Sequence, residues 1–213
     1  MNDEQLVLKA CVLSSTPAGE NDKRLVLLSK EYGKVTVFAR GARRPKSAFL
    51  AAACPFVFGE FSVKPNASAY SLLKVNASEY FRELSEDMET FAYGSYFLEL
   101  ASYVSEENLD GTEELSLLFY SLKALLSPAF DNRLVRRIFE MKTFVIDGAY
   151  PDPRIEKLSE TARHAFSHII TSELRSLYSF EVKEEVILEM GRVLDRYMAA
   201  TIPKEFHSLK LLD

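Results

Sequence analysis

The spacing of apolar residues changes once along this chain, near residue 78, and that change limits it to two kinds of architecture in series. Before it, short runs alternate or are continuously apolar, and turn residues separate them. Gln5–Ser14, Arg24–Lys30, Lys34–Arg40, Phe56–Lys64 and Tyr70–Asn76 each have the length and make-up of a strand. Pro17, Gly19 and Asn21 mark the first turn, and Pro65-Asn66-Ala67-Ser68 the last. Glu31-Tyr32-Gly33-Lys34 is a hairpin connection in which Gly33 is able to take a positive φ. Lys46–Cys54 suits a short helix ended by Pro55. Five strands with a helix between the third and fourth is the order of an OB-type barrel, although pattern alone leaves other small barrels open.

After residue 78 the apolar spacing is three and four. Met88–Val104, Glu113–Leu126, Arg133–Ile146, Ser159–Ile170 and Val182–Thr201 read as amphipathic helices. Asp131 or Asn132 is placed to cap the third, Gly148 to end it, and Pro203 to stop the last. The expected fold class is therefore α+β: an N-terminal five-stranded OB-fold barrel over residues 1–78, then an all-α domain over 79–213.

The chain has 213 residues, 47% of them hydrophobic, enough to bury a real core. No apolar run approaches the roughly 18–20 residues that span a bilayer. The opening MNDEQLVLKACVL lacks the basic-then-apolar order of a signal peptide, so a soluble cytoplasmic protein with no membrane role is expected. Cys11 and Cys54 make neither a disulfide framework nor a zinc quartet and read as structural thiols.

Charge singles out one region. Residues 1–50 hold nine Lys/Arg against five Asp/Glu, a balance of +4, whereas residues 51–213 hold 17 against 26, a balance of −9; together they give the −5 of the chain. The excess lies on the second and third strands and the loop after them, as Lys23, Arg24, Lys30, Lys34, Arg40, Arg43, Arg44 and Lys46. Alternation sends Val35, Val37 and Ala39 to one face and Lys34, Thr36, Phe38 and Arg40 to the other. Cations beside an aromatic ring on a strand surface read either as a single-strand nucleic-acid site or as an ordinary solvated surface with the rings in the core; these eight residues and Phe38 are the candidate nucleic-acid-binding residues.

Other patterns carry less chemistry. Gly41-Ala-Arg-Arg-Pro-Lys46-Ser47 resembles a phosphate loop only superficially, because Pro45 removes a backbone donor where that loop needs glycine. His164 and His168 share a helix face but lack further metal ligands. Asp147 and Asp152 fit helix termination better than a nuclease pair. No nucleophile-base constellation is present, and an enzyme is not expected. Arg133, Arg136, Arg137 and Lys142 form a second basic cluster beside Phe139 and Phe144, which reads either as an ordinary charged helix face or as a rim for an acidic peptide tail.

Several runs together resemble one family. Lys23-Arg-Leu-Val-Leu-Leu-Ser, Glu31-Tyr-Gly-Lys-Val and Ala39-Arg-Gly-Ala-Arg-Arg-Pro-Lys-Ser47 look like the bacterial recombination mediator RecO, as do Phe139-Glu-Met-Lys, Gly148-Ala-Tyr-Pro-Asp152 and the closing Phe206-His-Ser-Leu-Lys-Leu-Leu212. Many members carry a four-cysteine zinc module after the segment matching Gly148–Asp152. Here Pro153 leads straight to Arg154-Ile-Glu-Lys and no cysteine follows Cys54, so no zinc or other cofactor is expected. The resemblance implies binding of single- and double-stranded DNA, annealing of complementary strands, and help in loading the RecA recombinase onto DNA coated with single-stranded-DNA-binding protein. It implies RecR and the acidic C-terminal tail of the single-stranded-DNA-binding protein as partners, and Arg133, Arg136, Arg137 and Lys142 are the candidate dock for that tail. The alternative is a protein-interaction adaptor with no DNA role of its own.

Overall fold

The computed structural model describes residues 5–154 and 156–212; the opening Met1–Glu4, part of the leader reading above, lies outside them. Five strands, β1 (Leu6–Ala18), β2 (Asp22–Ser29), β3 (Gly33–Ala39), β4 (Phe58–Pro65) and β5 (Tyr70–Glu79), close a barrel in the order β1-β2-β3-β5-β4. β1 pairs antiparallel with both β2 and β4, which its 13 residues are long enough to do, and a bulge between Val12 and Ser14 bends it from one partner to the other. Closure rests on a short parallel contact in which Val37 meets Tyr70 and Phe38 meets Ser71. This is the OB-fold arrangement.

The alternation seen in the sequence is realised. Val35, Val37 and Ala39 point inward against Leu8, Leu25, Leu27, Phe61 and Val63, all buried. Each large aliphatic or aromatic side chain so buried contributes roughly 1.5–3 kcal/mol. Cys11 and Leu13 on the outer side of β1 are buried as well, in keeping with a strand covered on much of both faces.

The helix expected over Lys46–Cys54 does not form. Residues 40–57 are a chain of turns, with Arg44 N–H donating to Gly41, Ser47 to Arg44 and Leu50 to Ser47, and a single wider turn from Ala53 to Phe49. A segment this short, begun just after Pro45, is below the length at which a helix sustains itself. Packing decides instead: Ala42, Ala53 and Val57 enter the barrel core, with Phe49 and Cys54 half-buried against it.

The helices are α1 (Met88–Val104), α2 (Thr112–Leu125), α3 (Asn132–Asp147), α4 (Glu160–Thr171) and α5 (Glu184–Thr201), each within a residue or two of its expected span. The Asp131 carboxylate caps α3 by accepting from Arg133 N–H, and Gly148, at φ 82°, ends it. No helix among the described residues is long and apolar enough to cross a membrane.

The chain forms two compact units whose limits differ from a boundary at residue 78. The barrel unit comprises Met1–Arg82 and Leu98–Leu115, and the helical unit comprises Glu83–Phe97 and Ser116–Asp213. In the barrel unit, the segment after α1 clasps the β2–β3 hairpin. Lys34 N–H donates to Glu106 O, Asn108 N–H to Tyr32 O and Gly111 N–H to Lys30 O, at 2.9, 2.9 and 3.0 Å. Gly33 permits the contact: its φ is +58° and a Cβ there would lie 2.3 Å from the Glu106 carbonyl oxygen. In the helical unit, Phe97 stacks on Phe139 with ring centroids 4.2 Å apart, and Tyr96 meets Phe206 edge-on.

Candidate nucleic-acid interface

Pairing register carries one row of outward side chains around the barrel. Thr16 faces Arg24, Arg24 faces Phe38, Phe38 lies beside Ser71, and Ser71 faces Lys64. Directly paired residues share a face, so this row joins Phe38 to cations on either side. Arg24 is exposed and Phe38 half-exposed. Arg24 Nη2 donates to Thr36 Oγ1 at 3.2 Å, which holds the guanidinium along β3. Lys64 belongs to the row but was missed in the sequence, where a single lysine near the end of a strand gives no signal.

The loop after β3 is anchored at two points. Gly41 N–H donates to Asp22 Oδ1 at 2.7 Å, and Arg43 N–H donates to Asn21 O at 2.9 Å. The Arg43 guanidinium reaches the carbonyls of Gly19 and Glu20, both at 3.0 Å, and pins the loop to the β1–β2 turn. Arg40, Arg44 and Lys46 are exposed and, among the described residues, make no side-chain hydrogen bond or ion pair. A backbone tied down beneath three unneutralised cations presents positive charge in a fixed place, which favours a polyanion.

The remaining candidates separate from this patch. Lys23 folds back, its Nζ donating to Ala53 O at 2.9 Å, and holds the turn-rich loop. Lys34 Nζ donates to Ser102 O at 2.8 Å and belongs to the clasp. Lys30 is exposed but sits at the hairpin tip. From Lys34 to Arg40 along β3 is about 20 Å, so the tip and the loop are opposite ends of the ribbon. The structure therefore brings together Arg24, Phe38, Arg40, Arg43, Arg44 and Lys46, and leaves Lys23, Lys30 and Lys34 outside the patch.

The second basic cluster is not an open cationic rim. Arg136 Nε and Arg137 Nη1 donate to the two carboxylate oxygens of Glu140 at 2.8 and 2.9 Å, and Glu140 is fully buried. Tyr96 O–H adds a third bond to Glu140 at 2.8 Å, and Arg137 also pairs with Asp195 at 2.6 Å. Burial raises the Glu140 carboxyl, but Arg137 and Arg136 more than reverse this and hold it below the ordinary carboxylate range. Gly191 makes room for the network, since a Cβ there would come within 2.9 Å of Arg137 Nη2. Arg133 pairs with Asp131 and Glu184, each at 2.7 Å. Lys142 is buried, and its Nζ donates to the carbonyls of Ile169, Ile170 and Ser172 at the end of α4. These four residues are engaged within the helical unit and are not the row of free cations their spacing suggests.

The other candidates take structural positions. His164 is exposed beside Glu160, whereas His168 contacts Ser179 Oγ and the Phe180 ring. Asp152 is half-buried and bonded to Arg154, which lowers its carboxyl to about 2. Cys11 is buried, which raises its thiol, and Cys54 is half-buried; both are free. No group of three or more His, Cys, Asp or Glu among the described residues is placed to hold a metal ion.

Comparison with known proteins agrees with the architecture. Residues 1–81 match the family model described as Recombination protein O N terminal, and residues 85–154 match Recombination protein O C terminal. The chain is 26% identical to the DNA repair protein RecO of Acetivibrio thermocellus, covering 94% of this chain and 93% of that one. It is 28% identical to the DNA repair protein RecO of Clostridium novyi over 96% and 92% of the two chains. The protein of the same name from Bacillus subtilis is 31% identical over 66% of this chain and 55% of its own. Two family models in the family's order and relatives matched over nearly their whole length lead to one conclusion: this chain belongs to the RecO family of DNA repair and recombination proteins.

Proposed function

We propose that the chain binds single- and double-stranded DNA through the outer face of its barrel, anneals complementary strands and, with RecR, assists RecA loading on DNA coated by single-stranded-DNA-binding protein. The observation that carries this reading is the trio Arg40, Arg44 and Lys46, exposed and without side-chain partners among the described residues, on a pinned loop next to Arg24 and Phe38. Cations on two approaching strands' phosphates lower their mutual repulsion, and the ring offers a stacking face to any base. No enzymatic step or cofactor enters this mechanism. Contacts to phosphates are blind to base identity, so binding is nearly independent of sequence. The acidic tail of the single-stranded-DNA-binding protein remains a partner in the proposal, with no dock on α3, whose arginines are engaged.

The test is an anisotropy titration with a single-stranded oligonucleotide over a range of salt. Engagement of about four phosphates gives log K falling against log salt with a slope of roughly −3. A salt-insensitive affinity refutes the basic patch. Annealing of oligonucleotides coated with the single-stranded-DNA-binding protein, with and without its acidic tail, tests the mediator role.

A further inference from the structure

Next to the basic patch the barrel wall is open. β3 and β5 pair only at Val37–Tyr70 and Phe38–Ser71, and below that contact a cavity of about 260 Å³ separates β3 from the β4–β5 turn. Its walls are Thr36 on β3, Asn66 and Ser68 in the turn, Tyr70 on β5, and Glu107 and Asn108 from the clasp. Lys34 also lines it, but its ammonium is committed to the Ser102 carbonyl, and Glu107 supplies an opposing carboxylate. The cavity is therefore a poor site for phosphate. It offers amides, hydroxyls, a carboxylate and a phenol ring, which are the donors, acceptors and flat face that a neutral heterocycle with polar edges uses. Burial, with Tyr32 and Glu107 nearby, raises the Tyr70 phenol and keeps it a donor. The volume is below that of most drug-sized pockets and suits one ring system, not a whole nucleotide.

The cavity is physically joined to the patch. Thr36, in its wall, accepts the hydrogen bond from Arg24, and Phe38 is two residues farther along the same face, about 6.6 Å away. The geometry points to a base-insertion pocket: one nucleobase of a bound single strand enters between β3 and the β4–β5 turn while the cations hold its phosphates and Phe38 stacks a neighbouring base. This rests on the proposal that the barrel face binds DNA and adds a strand preference to it. A base enters only when it is free of its duplex partner, so the pocket favours single strands and leaves duplex affinity to the cations.

The test uses Ala69→Leu, which fills the cavity without adding an aromatic surface, in the full chain, with Arg24→Ala/Arg40→Ala/Arg44→Ala/Lys46→Ala as the second arm. Ser68→Leu, at an exposed turn position, replaces Ala69→Leu if that variant does not fold. The filled variant is expected to lose about tenfold in affinity for single-stranded DNA and to keep its duplex affinity. The unaltered chain is expected to change the fluorescence of a 2-aminopurine oligonucleotide, and the filled variant is expected to abolish that change. The cation variant loses both affinities. A folded filled variant with unchanged single-strand affinity and unchanged 2-aminopurine signal overturns the pocket while the basic patch stands. Equal losses on single strand and duplex also overturn it. If the unaltered chain binds neither DNA, or the cation variant loses neither affinity, the underlying DNA reading fails.

Discussion

The chain contains two arginine-rich clusters of similar composition and opposite fate. At the end of β3, Arg40, Arg44 and Lys46 stand exposed above an anchored loop; on α3, Arg136 and Arg137 close over a buried glutamate. The difference is the acid. Glu140 follows Arg136 and Arg137 by four and three residues, so the helix itself delivers the carboxylate to both guanidiniums. The barrel loop has acids nearby only as backbone anchors: Asp22 binds the Gly41 amide, and Arg43 takes carbonyl oxygens. A basic cluster is thus left available to a ligand when the fold satisfies its backbone and leaves its charges unsatisfied.

The largest expected effect strikes the helical cluster. Glu140→Ala leaves two guanidiniums, with side chains 18% and 13% exposed, without their shared partner. The cost expected from breaking such a buried pair is about 3 kcal/mol, read as a urea-melt shift with DNA affinity retained. A near-neutral result would show that the cluster is no more structural than the barrel loop. Next comes the Arg24, Arg40, Arg44, Lys46 quadruple alanine variant. It is expected to lose DNA affinity on the order of 100-fold at low salt, with an unchanged thermal melt. Arg43 is kept because it pins the loop.

A double-mutant cycle sharpens the comparison. Gly191→Ala alone is expected to destabilise by about 1 kcal/mol by displacing Arg137; in an Arg137→Ala background the same change stabilises by up to about 1 kcal/mol through helix propensity. Equal effects in both backgrounds would remove Gly191 from the network. Acid probes the network more gently. Glu140 titrates below its unfolded-state value of about 4.3. Its contribution is therefore complete above that pH and is lost as pH falls through the folded-state value. Stability of the unaltered chain falls as pH drops below about 5, through the unfolded-state value and on to the lower folded-state one, and Glu140→Gln flattens that part of the profile. The smallest effect is at the hairpin tip, where Lys30→Ala is expected to change DNA affinity by less than about twofold, since it removes one distant charge.

Much of this was legible in the chain itself, because period and caps are local signals. The β3 alternation separated the core side chains Val35, Val37 and Ala39 from Phe38, and Asp131 and Gly148 bounded α3 as expected. What escaped depends on distant partners. Lys23 and Lys34 look like free cations in sequence, yet carbonyls 30 and 68 residues away claim them. The turns over 46–54 follow from packing of Ala42, Ala53 and Val57 into the barrel, which local helix preference does not see. The Arg136–Glu140 pair was the exception: its four-residue spacing was readable and shows why α3 offers no open rim.

The clasp between the β2–β3 hairpin and residues 106–111 also sets an order of events in synthesis. When β5 ends at Glu79 all five strands exist, but Lys30, Tyr32 and Lys34 still lack the backbone partners at Gly111, Asn108 and Glu106. A chain emerging from the ribosome must extend by about thirty more residues before the hairpin tip is closed. The barrel is complete in strands well before it is complete in hydrogen bonds, and a fragment intended to carry it alone should run to Leu115.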